Sequence, residues 1–405
     1  MNNAVSRART LGVLGSGQLG RMFVQAAQAM GFRVIVLDPE AQKKDALSPA
    51  AQVSDGLMAA SFTDAAALQT LAEQCFAVTT EFENVPADAL AYLAQATPRV
   101  QVSPPAHAVR TAQDRVLEKT HFVSCGVPIA PYHVIEHDVH MAAVPADFYP
   151  AILKTTRMGY DGKGQVAVHS ATELQASWSG LSRVACVLEK RLPLAFECSV
   201  LLARQVLANG TANMIHWPVQ RNVHVSGILA TTEVASLADT PTAKDQALYD
   251  SLIAAATSIA TGLDYVGVLC IEFFILNDGS WVVNEMAPRP HNSGHITMNA
   301  SSLSQFEAQA RVLTDLPLVQ PRQHSSGVML NLLGDVWFDS STSEVPREPD
   351  WARVLGLASR DVGVHLHLYG KSEPRRARKM GHINITAHSL ESAWQTATLI
   401  QQRLQ

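Results

Sequence analysis

A glycine-rich turn near the N-terminus constrains the fold more than any other feature of the sequence. The turn, Gly15-Ser16-Gly17-Gln18-Leu19-Gly20, follows an apolar run at residues 11–14 and precedes a helical pattern that extends to about Met30. Further segments of the same kinds are apolar runs at 33–37 and 77–80 and a helical pattern near 64–74. This alternation predicts a parallel sheet with helices on its faces, and hence a Rossmann-like N-terminal domain over residues 1–110.

The glycine turn alone has the fingerprint of a dinucleotide-binding enzyme. Glycines let a phosphate approach a helix N-terminus closely, and Asp38 has the spacing of an acid that binds a ribose. A nicotinamide oxidoreductase is therefore one interpretation, and a tight turn that needs small residues only for packing is a second. We favour a third, in which the turn lies under a ribonucleotide substrate, because another nucleotide site is indicated further along the chain.

The chain changes character after Ser103-Pro104-Pro105, which breaks the alternation and indicates a linker. Between residues 111 and 322, longer strand patterns and glycine-rich connections predict an α+β domain with antiparallel hairpins. The predicted strands of this domain include residues 151–155, 165–170, 183–189, 266–276 and 281–285. Residues 323–405, with strand patterns at 327–333, 364–369 and 383–385, are expected to form a small β-rich C-terminal domain.

Composition and charge exclude several classes of protein. Hydrophobic residues make up 47% and charged residues 17% of the chain, which is typical of a globular enzyme. The net charge of -5 argues against a nucleic-acid-binding protein, because phosphate neutralisation requires a basic surplus. The five cysteines form no C-x-x-C pair and indicate reduced core residues, and no run of about 18 apolar residues predicts a membrane span. We expect a cytoplasmic protein with small-molecule partners and neither a nucleic-acid nor a membrane partner.

A second glycine-rich loop lies between two strand patterns. Lys154 is in the first strand, and the loop Gly159-Tyr160-Asp161-Gly162-Lys163-Gly164-Gln165 leads directly into the second. A P-loop instead precedes a helix, and its motif G-x-x-x-x-G-K-[ST] does not occur in the sequence. Backbone N–H groups of such a loop can fold over phosphate oxygens while Lys154 supplies positive charge from beneath. The pattern predicts a mobile lid over ATP, and an ordinary exposed hairpin loop is the alternative.

Two glutamates lie on either side of a predicted hairpin turn. If Asp278 and Gly279 form a two-residue turn, Glu272 lies directly opposite Glu285 and both side chains share one face. Like charges in this position are destabilising unless a cation lies between them, and magnesium prefers one or two carboxylates together with nucleotide phosphates. The hairpin therefore predicts a metal site, and a twist or bulge that solvates one glutamate is the alternative. Asn284 points to the other face of an ideal ladder, so its participation requires a bulge.

Together these segments resemble the ATP-grasp superfamily and, more narrowly, the 5-(carboxyamino)imidazole ribonucleotide synthase family. The motifs are Gly15-Ser16-Gly17-Gln18-Leu19-Gly20-Arg21-Met22, Thr80-Glu81-Phe82-Glu83-Asn84-Val85-Pro86, the loop at 159–165, Asn284-Glu285-Met286-Ala287-Pro288-Arg289-Pro290-His291-Asn292-Ser293-Gly294-His295 and Lys379-Met380-Gly381-His382. They span nearly the whole chain in order, and five in sequence are far more specific than any one. The resemblance implies an ATP-grasp fold of α/β and α+β parts, ATP and Mg²⁺ as cofactors with Mn²⁺ as an alternative ion, and a homodimer.

The resemblance also implies an ATP site in the middle domain. The residues that it assigns are Arg115, Lys154, the loop 159–165, Glu189, Lys190, Arg191, Leu192, Glu197, His224, Glu272, Asn284 and Glu285. Residues 189–192 would read adenine through their backbone, Glu197 would hold the ribose hydroxyls, and Glu272 and Glu285 would bind the metal. His224 matches a further ATP-site histidine, although a satisfied loop histidine explains it almost as well. This chain has Asn284-Glu285 where many ATP-grasp enzymes have E-x-N.

The ribonucleotide site implied by the resemblance combines the two ends of the chain. Gly17, Gln18, Leu19 and Glu81 would lie against the ribonucleotide, and Lys371, Arg378 and Lys379 would anchor its 5′-phosphate. These last three residues form a dense basic cluster with Arg375 and Arg376, which suits one phosphomonoester because arginine grips phosphate in bidentate fashion. A solvated charged face is the alternative. The sequence Arg375-Arg376-Ala377-Arg378-Lys379 departs from the R-P-G-R-K that is common in the family, a change that bears on the shape of the loop.

Residues 289–295 directly follow Glu285 and are expected to lie beside the γ-phosphate of ATP. Arg289, His291 and Asn292 could orient an oxyanion such as bicarbonate there, and capping of a following helix by Asn292 or Ser293 is the alternative. The expected reaction is attack of bicarbonate on the γ-phosphorus to give carboxyphosphate and ADP, followed by carboxylation of the exocyclic amine of aminoimidazole ribonucleotide. With these three residues, Lys154, Tyr160 and Asp161 are the candidate catalytic residues, and none is assigned as the general base.

Three other functions fit parts of the sequence. An ATP-grasp ligase that uses formate or an amino acid would share the ATP site. A nicotinamide oxidoreductase would bind NAD at the first glycine turn, and a nucleotide-sensing module would bind ATP without turning it over. Measuring ADP formation from ATP, magnesium and bicarbonate, with and without the ribonucleotide, distinguishes them.

Overall fold

The computed structural model describes residues 9–43, 46–159, 164–207, 209–236, 242–339 and 345–404. Four predicted residues of the ATP loop, Tyr160, Asp161, Gly162 and Lys163, lie outside these described residues. The strands are β1 (Thr10–Leu14), β2 (Arg33–Leu37), β3 (Gln42–Lys43), β4 (Ala46–Leu47), β5 (Gly56–Met58), β6 (Ala77–Thr80), β7 (Gln101–Val102), β8 (Tyr132–Ile135), β9 (Ala151–Thr155), β10 (Gln165–Val168), β11 (Cys186–Lys190), β12 (Leu194–Val206), β13 (Ala212–His216), β14 (Gln220–Val225), β15 (Ile228–Val234), β16 (Gly267–Leu276), β17 (Trp281–Ala287), β18 (Ser326–Leu333), β19 (Val362–Leu368) and β20 (Lys379–Ala387).

Helices cover the faces of these strands. They are α1 (Gln18–Ala29), α2 (Ala65–Gln74), α3 (Ala87–Gln95), α4 (Ala106–Ala112), α5 (Arg115–Ser124), α6 (Asp138–Ala142), α7 (Ala171–Gly180), α8 (Ala243–Gly262), α9 (Thr297–Ala300), α10 (Gln305–Leu313), α11 (Trp351–Leu355) and α12 (Leu390–Leu404), with 3₁₀ turns at Ala146–Phe148, Asn292–Ile296 and Gly334–Trp337. Within the described part of the chain, no helix is long and apolar enough to cross a bilayer.

The N-terminal region forms the parallel sheet that the sequence predicts. Its strand order is β5-β2-β1-β6-β7, and every neighbouring pair is parallel. Strands β1 and β6 are buried along their whole length, because helices pack on both faces of the sheet. Helix α1 begins at Gln18, so the glycine turn lies at the carboxyl end of β1. Ligands of open parallel sheets bind at this edge, where Gly17 and Glu81 are found.

A four-stranded antiparallel sheet carries the second glycine loop. Its order is β10-β9-β11-β8, and β9 and β10 form the predicted hairpin with Lys154 opposite Gln165 at the loop end. Strand β11 pairs with β9 so that Glu189 lies opposite Ile152, two residues from Lys154 on the same strand. Diagonal neighbours on one face of a sheet are within reach of long side chains. The register therefore places the carboxylate of Glu189 beside the ammonium group of Lys154.

Strands β12 to β20 form one nine-stranded antiparallel sheet, and β3 and β4 pair separately with each other. Its order is β17-β16-β12-β14-β15-β18-β20-β19, and β13 pairs with β12 outside this path. The strands of the predicted C-terminal domain continue this sheet, since β18 pairs with β15, and helix α12 packs on them through a cluster that includes Ile383 and Ile400. The strand-rich character predicted for residues 323–405 is present, and the boundaries at 110 and 322 stay predictions.

The turn between β16 and β17 differs from the predicted two-residue turn. The N–H of Leu276 donates to the carbonyl of Ser280 over 2.8 Å, so the loop contains Asn277 as well as Asp278 and Gly279. The prediction of a two-residue Asp278-Gly279 turn was therefore wrong. The extra residue shifts the register by one and, in a regular ladder, would place Glu272 opposite Asn284.

A β-bulge restores the predicted pairing of the two glutamates. Phe273 pairs with Val283, whereas the adjacent residue Glu272 pairs with Glu285, which leaves Asn284 as the additional residue of β17. The predicted pairing of Glu272 with Glu285 is confirmed, although by a longer turn and a bulge that compensate for each other. Because a bulge bends the strand locally, Asn284 and Glu285 need not alternate between faces as they would in a regular strand.

Helix α5 is held on the large sheet through a cluster of apolar side chains. Phe122 is completely buried in this cluster, which also contains Ile259 of α8 and Phe273 of β16. The carboxylate of Asp114 caps the helix by accepting N–H groups in its first turn. This packing fixes the first turn of α5, with Arg115, beside the β16–β17 hairpin.

The packing of α5 gives a first prediction. Substitution Phe122→Ala removes a completely buried ring and should lower the free energy of unfolding by about 3–5 kcal/mol. The matched control is Leu117→Ala on the same helix, where the side chain is exposed and the loss should stay within about 0.5 kcal/mol. Urea unfolding followed by circular dichroism measures both, and equal losses in the two variants would contradict this account.

Candidate active site

One cavity of about 720 Å³ lies where the N-terminal sheet, the β16–β17 hairpin and the basic C-terminal loop meet. The predicted site residues on its wall are Gly17, Gln18, Leu19, Glu81, Arg115, Gly159, Glu272, Glu285, Arg289, His291, Asn292, Lys371, Arg378 and Lys379. The predicted residues that are not on this wall are Lys154, Gly164, Gln165, Glu189, Lys190, Arg191, Leu192, Glu197, His224 and Asn284. The predicted metal, oxyanion and phosphate residues thus meet in one cavity.

The N-terminus of α1 is occupied by a carboxylate of the protein. The two oxygens of Glu81 accept the N–H of Gly17 at 2.8 Å and the N–H of Gly20 at 3.1 Å. A Cβ on Gly17 would lie only 2.9 Å from that carboxylate, so the glycine makes room for Glu81. Asp38 accepts the hydroxyl of Ser16 at 2.8 Å. The dinucleotide interpretation fails here, because Glu81 already fills the position that a pyrophosphate would take.

A buried group of three charges lies where helix α5 meets strands β9 and β11. Lys154 Nζ is 2.6 Å and Lys119 Nζ is 2.9 Å from the two oxygens of Glu189. All three side chains are almost inaccessible to solvent. Burial raises the pKa of a carboxyl group, but the two ammonium groups outweigh it and lower the pKa of Glu189 to about 2. The group therefore carries a net charge of one positive unit, which suits a phosphate binding site.

Helix α5 presents three charged residues to the site. Arg115, Glu118 and Lys119 have the i, i+3, i+4 spacing that places side chains on one helical face. Arg115 forms an ion pair with Glu285 at 3.1 Å, and Glu118 accepts the N–H of Met286 at 2.8 Å. Burial raises the pKa of Glu118 to about 8, although Arg115 acts in the opposite direction. This helix therefore holds both the lysine–glutamate group and the bulged strand that carries Glu285.

The two hairpin glutamates have opposite electrostatic environments. Burial and the neighbouring charge of Glu285 raise the pKa of Glu272. Burial also acts on Glu285, but Arg115 and Lys154 outweigh it and lower the pKa of Glu285. Beside them, the Oδ1 atom of Asn284 is buried without a hydrogen-bond partner among the described residues. The two facing carboxylates of Glu272 and Glu285 are suitable oxygen ligands for a hard divalent cation.

The described residues contain no group of three or more His, Cys, Asp and Glu side chains arranged to hold a metal ion. A cation bound at Glu272 and Glu285 would therefore need further oxygen ligands from water or phosphate. This is the usual situation of Mg²⁺ in nucleotide sites, where one or two carboxylates act together with the phosphates of the substrate.

Glu197 and His224 face each other on strands β12 and β14. Their Oε2 and Nδ1 atoms are 2.6 Å apart. Burial lowers the pKa of a histidine, but the hydrogen bond to Glu197 and the charges of Glu272 and Glu285 outweigh it and raise the pKa of His224. The structure thus brings together two residues that the family resemblance assigned to the ATP site.

The segment after Glu285 is held by contacts with other parts of the site. Arg289 forms an ion pair with Glu83, and His291 Nε2 is 3.2 Å from an oxygen of Glu272. The Nδ1 atom of His291 accepts the N–H of Ser293 and caps the 3₁₀ turn Asn292–Ile296, so the capping residue is the histidine and not Asn292 or Ser293. Burial, reinforced by Arg289, lowers the pKa of His291 well below its usual value. The imidazole is therefore neutral, with an Nε2–H that can donate to Glu272.

The basic C-terminal loop faces the cavity with Lys371, Arg378 and Lys379. Lys371 Nζ donates to the carbonyl of Lys379 at 2.7 Å, which ties the two ends of the loop together. Ala377, at the position where the family commonly has glycine, has a positive φ of 59° and donates its N–H to Asp335. The left-handed conformation is thus kept despite a Cβ, at a cost of about 1 kcal/mol.

Two backbone N–H groups in residues 189–192, the segment predicted to read adenine, already form hydrogen bonds within the protein. The N–H of Lys190 donates to the carbonyl of Pro131 at 2.9 Å, and the N–H of Arg191 donates to the carbonyl of Pro150 at 3.0 Å. A base bound along residues 189–192 would therefore have to use carbonyl oxygens of the segment or the N–H of Leu192. The contacts predicted for Lys190 and Arg191 are limited to their carbonyl groups.

Comparison with known families divides the chain into three parts. Residues 8–113 match the ribonucleotide synthetase preATP-grasp domain, residues 120–306 the ATP-grasp domain, and residues 327–396 the phosphoribosylaminoimidazole carboxylase C-terminal domain. The N5-carboxyaminoimidazole ribonucleotide synthases of Brucella melitensis and Bacillus subtilis are 38% and 35% identical to this chain, each over 92% of it and over 95% and 90% of their own lengths. The chain belongs to the N5-carboxyaminoimidazole ribonucleotide synthase family.

Solved structures of N5-carboxyaminoimidazole ribonucleotide synthases share the fold. An ADP complex of such an enzyme matches with a TM-score of 0.83 and 35% identity, over 99% of this chain and 98% of that chain. The enzyme from Aspergillus clavatus in complex with ADP and 5-aminoimidazole ribonucleotide matches with a TM-score of 0.82 and 29% identity, over 98% and 99%. The predicted ATP-grasp fold and the family resemblance are both confirmed.

Three residues of this synthase-family site were not singled out from the sequence. They are Glu83, which pairs with Arg289, and Glu118 and Lys119 on α5. The spacing of Arg115, Glu118 and Lys119 after a capping aspartate was a signal that could have found the last two. Charged residues at such positions are more often solvated, so only the packing of α5 shows that these are buried.

The raised pKa of Glu118 predicts an unusual pH dependence in the metal-free protein. Because this pKa lies near 8 in the folded chain and near 4.5 in the unfolded chain, wild-type stability should fall as pH rises from 4.5 to 8. Glu118→Gln retains an acceptor for the N–H of Met286 but does not titrate. It should gain stability over wild type between pH 5 and pH 8, on the order of a few kcal/mol.

Urea unfolding in EDTA at the two pH values tests this expectation. Glu391→Gln, which changes an exposed carboxylate in α12, is the control and should show no such pH-dependent gain. If Glu118→Gln and wild type lose stability in parallel as pH rises, the account of a buried, protonated Glu118 is wrong.

Lys119 should contribute to ATP binding through the buried charge group. Lys119→Met leaves Lys154 and Glu189 as a neutral pair, so the net positive charge of the buried group disappears. We expect the KM for ATP to rise about tenfold, which corresponds to about 1.4 kcal/mol. Steady-state ADP formation measures this change, with Lys244→Met on the exposed side of α8 as a control. A folded Lys119→Met enzyme with an unchanged KM for ATP would refute the assignment.

Proposed function

We propose that this protein carboxylates the exocyclic amine of 5-aminoimidazole ribonucleotide with ATP and bicarbonate, forming 5-(carboxyamino)imidazole ribonucleotide, ADP and phosphate. The observation that carries this proposal is that one cavity is lined by a carboxylate pair, by a segment suited to an oxyanion and by a basic loop. The carboxylate pair Glu272 and Glu285 borders the segment with Arg289 and His291, and the basic loop with Arg378 closes the same cavity. Membership of the synthase family supports the same reaction.

ATP would bind between the two antiparallel sheets. Lys154 and Lys119 supply positive charge for the phosphates, and Arg115 lies beside Glu285 on the cavity wall. The carboxylate of Glu197, oriented by His224, is an acceptor for ribose hydroxyls. The loop 159–165, with Tyr160 and Asp161, would cover the phosphates, a role that rests on its sequence and on the position of the β9–β10 hairpin.

A Mg²⁺ ion would be held by the carboxylate oxygens of Glu272 and Glu285 on the cavity wall together with the phosphates of ATP, and Mn²⁺ has similar ligand preferences. When bound, such an ion draws negative charge from the phosphates and so stabilises the transfer of the γ-phosphoryl group. Arg115 keeps Glu285 ionised and in place, and His291 donates to Glu272. These contacts hold both carboxylates in position before ATP binds.

Bicarbonate would bind at Arg289, His291 and Asn292. Arg289 supplies positive charge for the oxyanion and the amide of Asn292 can orient it by hydrogen bonds, while His291 borders the site with its Nε2–H on Glu272. One oxygen of bicarbonate attacks the γ-phosphorus of ATP, ADP leaves, and carboxyphosphate forms. The amine of the ribonucleotide then takes the carboxyl group and phosphate is released. Exclusion of water from the site during the reaction would protect carboxyphosphate from hydrolysis.

The ribonucleotide would lie between the glycine turn and the basic loop. Gly17, Gln18 and Leu19 line one part of the cavity, and Lys371, Arg378 and Lys379 line another. Since arginine and lysine bind phosphomonoesters strongly, the 5′-phosphate would be anchored at this loop. A homodimer and a cytoplasmic location are further proposals that rest on the family resemblance.

Removing one metal carboxylate tests the core of the proposal. Glu272→Gln keeps the size of the side chain but removes a charge, and kcat for ADP formation should fall at least about 100-fold because phosphoryl transfer loses electrostatic stabilisation. The control is Asp278→Asn at the exposed tip of the same hairpin, which should retain wild-type kcat. Activity of Glu272→Gln within about threefold of wild type would contradict the assigned role.

Assays with bicarbonate or formate as the acid substrate test which acid the enzyme uses. ADP formation should require bicarbonate, should be stimulated by 5-aminoimidazole ribonucleotide, and should not be supported by formate. Formate-dependent ADP release with the ribonucleotide would favour another ATP-grasp ligase. ADP release that is unaffected by bicarbonate would exclude the proposed function.

A further inference from the structure

We propose that Gln305 is a positioning residue that fixes the bicarbonate-binding segment through the backbone of His291; the inference rests on the proposed function. Gln305 is the first residue of α10 and is completely buried. Its side chain does not reach the cavity wall, so any effect on the reaction must pass through the residues that it holds.

The side-chain amide of Gln305 bonds both polar groups of one peptide residue. Its Oε1 accepts the N–H of His291 at 2.8 Å, and its Nε2 donates to the carbonyl of His291 at 2.7 Å. The same Nε2 is 3.2 Å from Nδ1 of His295. His291 lies between the end of β17 and a 3₁₀ turn. The side chain of Gln305 satisfies the N–H and the carbonyl of His291, as the backbone of a neighbouring strand would.

Close packing prevents the amide from bonding elsewhere. Gly294 lies against Oε1 of Gln305 and a methyl group of Leu201, and a Cβ at this position would overlap both. Thr297 closes the arrangement, because its hydroxyl donates to the carbonyl of Gly294 at 2.6 Å and accepts the N–H of Gln305 at 3.0 Å. The turn and the start of α10 are thereby locked together.

The functional consequence concerns the side chains on either side of the bonded peptide. His291 reaches Glu272 with Nε2 at 3.2 Å, and Asn292 lies on the cavity wall. Both depend on the backbone position at His291. Loosening that backbone should weaken the orientation of bicarbonate while leaving the buried group of Lys119, Lys154 and Glu189 unaffected, since the hydrogen bonds of Gln305 go to His291, His295 and Thr297.

The test uses two glutamines of one helix. Gln305→Glu can still accept the N–H of His291 but presents an oxygen, and not an N–H, to its carbonyl. Gln309→Glu is the matched control: Gln309 lies one turn further along α10, is also buried, accepts the N–H of Val268 at 2.7 Å and donates to Thr79 at 2.9 Å. Both substitutions place a carboxylate in a similar buried position, but only the first touches His291.

Steady-state kinetics with the full-length enzyme should separate the two variants. We expect Gln305→Glu to raise the KM for bicarbonate at least tenfold and to leave the KM for ATP within twofold. Gln309→Glu should leave both KM values within twofold. An unchanged KM for bicarbonate in folded Gln305→Glu, or an equal rise in both variants, would overturn the positioning role. Wild-type ADP formation without bicarbonate dependence would instead overturn the proposed function.

A second variant and a measurement on the wild type cover the case in which Gln305→Glu does not fold. Gln305→Met has a similar shape and no charge, and should show the same selective rise in the KM for bicarbonate. In the wild-type enzyme, hydrogen exchange should find the amide of His291 protected for as long as amides of α10. Rapid exchange at His291 would show that the bond to Gln305 does not persist, and would overturn the proposal.

Discussion

Two carboxylates that face each other across a β-bulge are the constraint on which the rest of the site depends. Glu272 and Glu285 would repel one another in an apolar sheet, so neighbouring groups have to offset that repulsion. Arg115 does so for Glu285 and His291 contacts Glu272. Helix α5, with Arg115 at its start, and the segment that follows β17 are therefore held close to the hairpin. The position of the cavity follows from these contacts.

Around this pair, glutamate side chains of the protein form ion pairs or hydrogen bonds with the cationic and N–H groups of the site. Glu189 holds two lysines, Glu83 holds Arg289, and Glu81 fills the N-terminus of α1. Groups that are ordered in this way before a substrate arrives need little rearrangement during the reaction. The site is thus built from local ion pairs even though the chain as a whole has a net charge of -5.

Much of the fold could be predicted because the periodicity of the sequence reports burial directly. The parallel sheet, the β9–β10 hairpin and the β16–β17 hairpin were all expected from apolar runs and their spacing. The pairing of Glu272 with Glu285 was also expected, but the turn length was wrong and the bulge at Asn284 compensated for it. A bulge leaves no pattern in a single strand, since it is fixed by the register against β16.

The roles of α5 and α10 could not be read from the sequence for a related reason. Lys119 and Gln305 act through tertiary contacts with residues far along the chain, and their own segments give no sign of those partners. A polar residue in a helix is usually solvent-exposed, so the buried amide of Gln305 contradicts the usual expectation. Only the packing of α10 against the turn at His291 shows what it binds.

The left-handed Ala377 has a consequence for how members of such a family are recognised. The loop keeps its conformation with a methyl group where glycine is usual, held by the N–H of Ala377 on Asp335. Glycine at that position is therefore favoured on energetic grounds and is not indispensable. A search pattern that demands glycine there would discard proteins whose loop has the same shape, whereas one that requires a small residue together with an acid at the partner position would keep them.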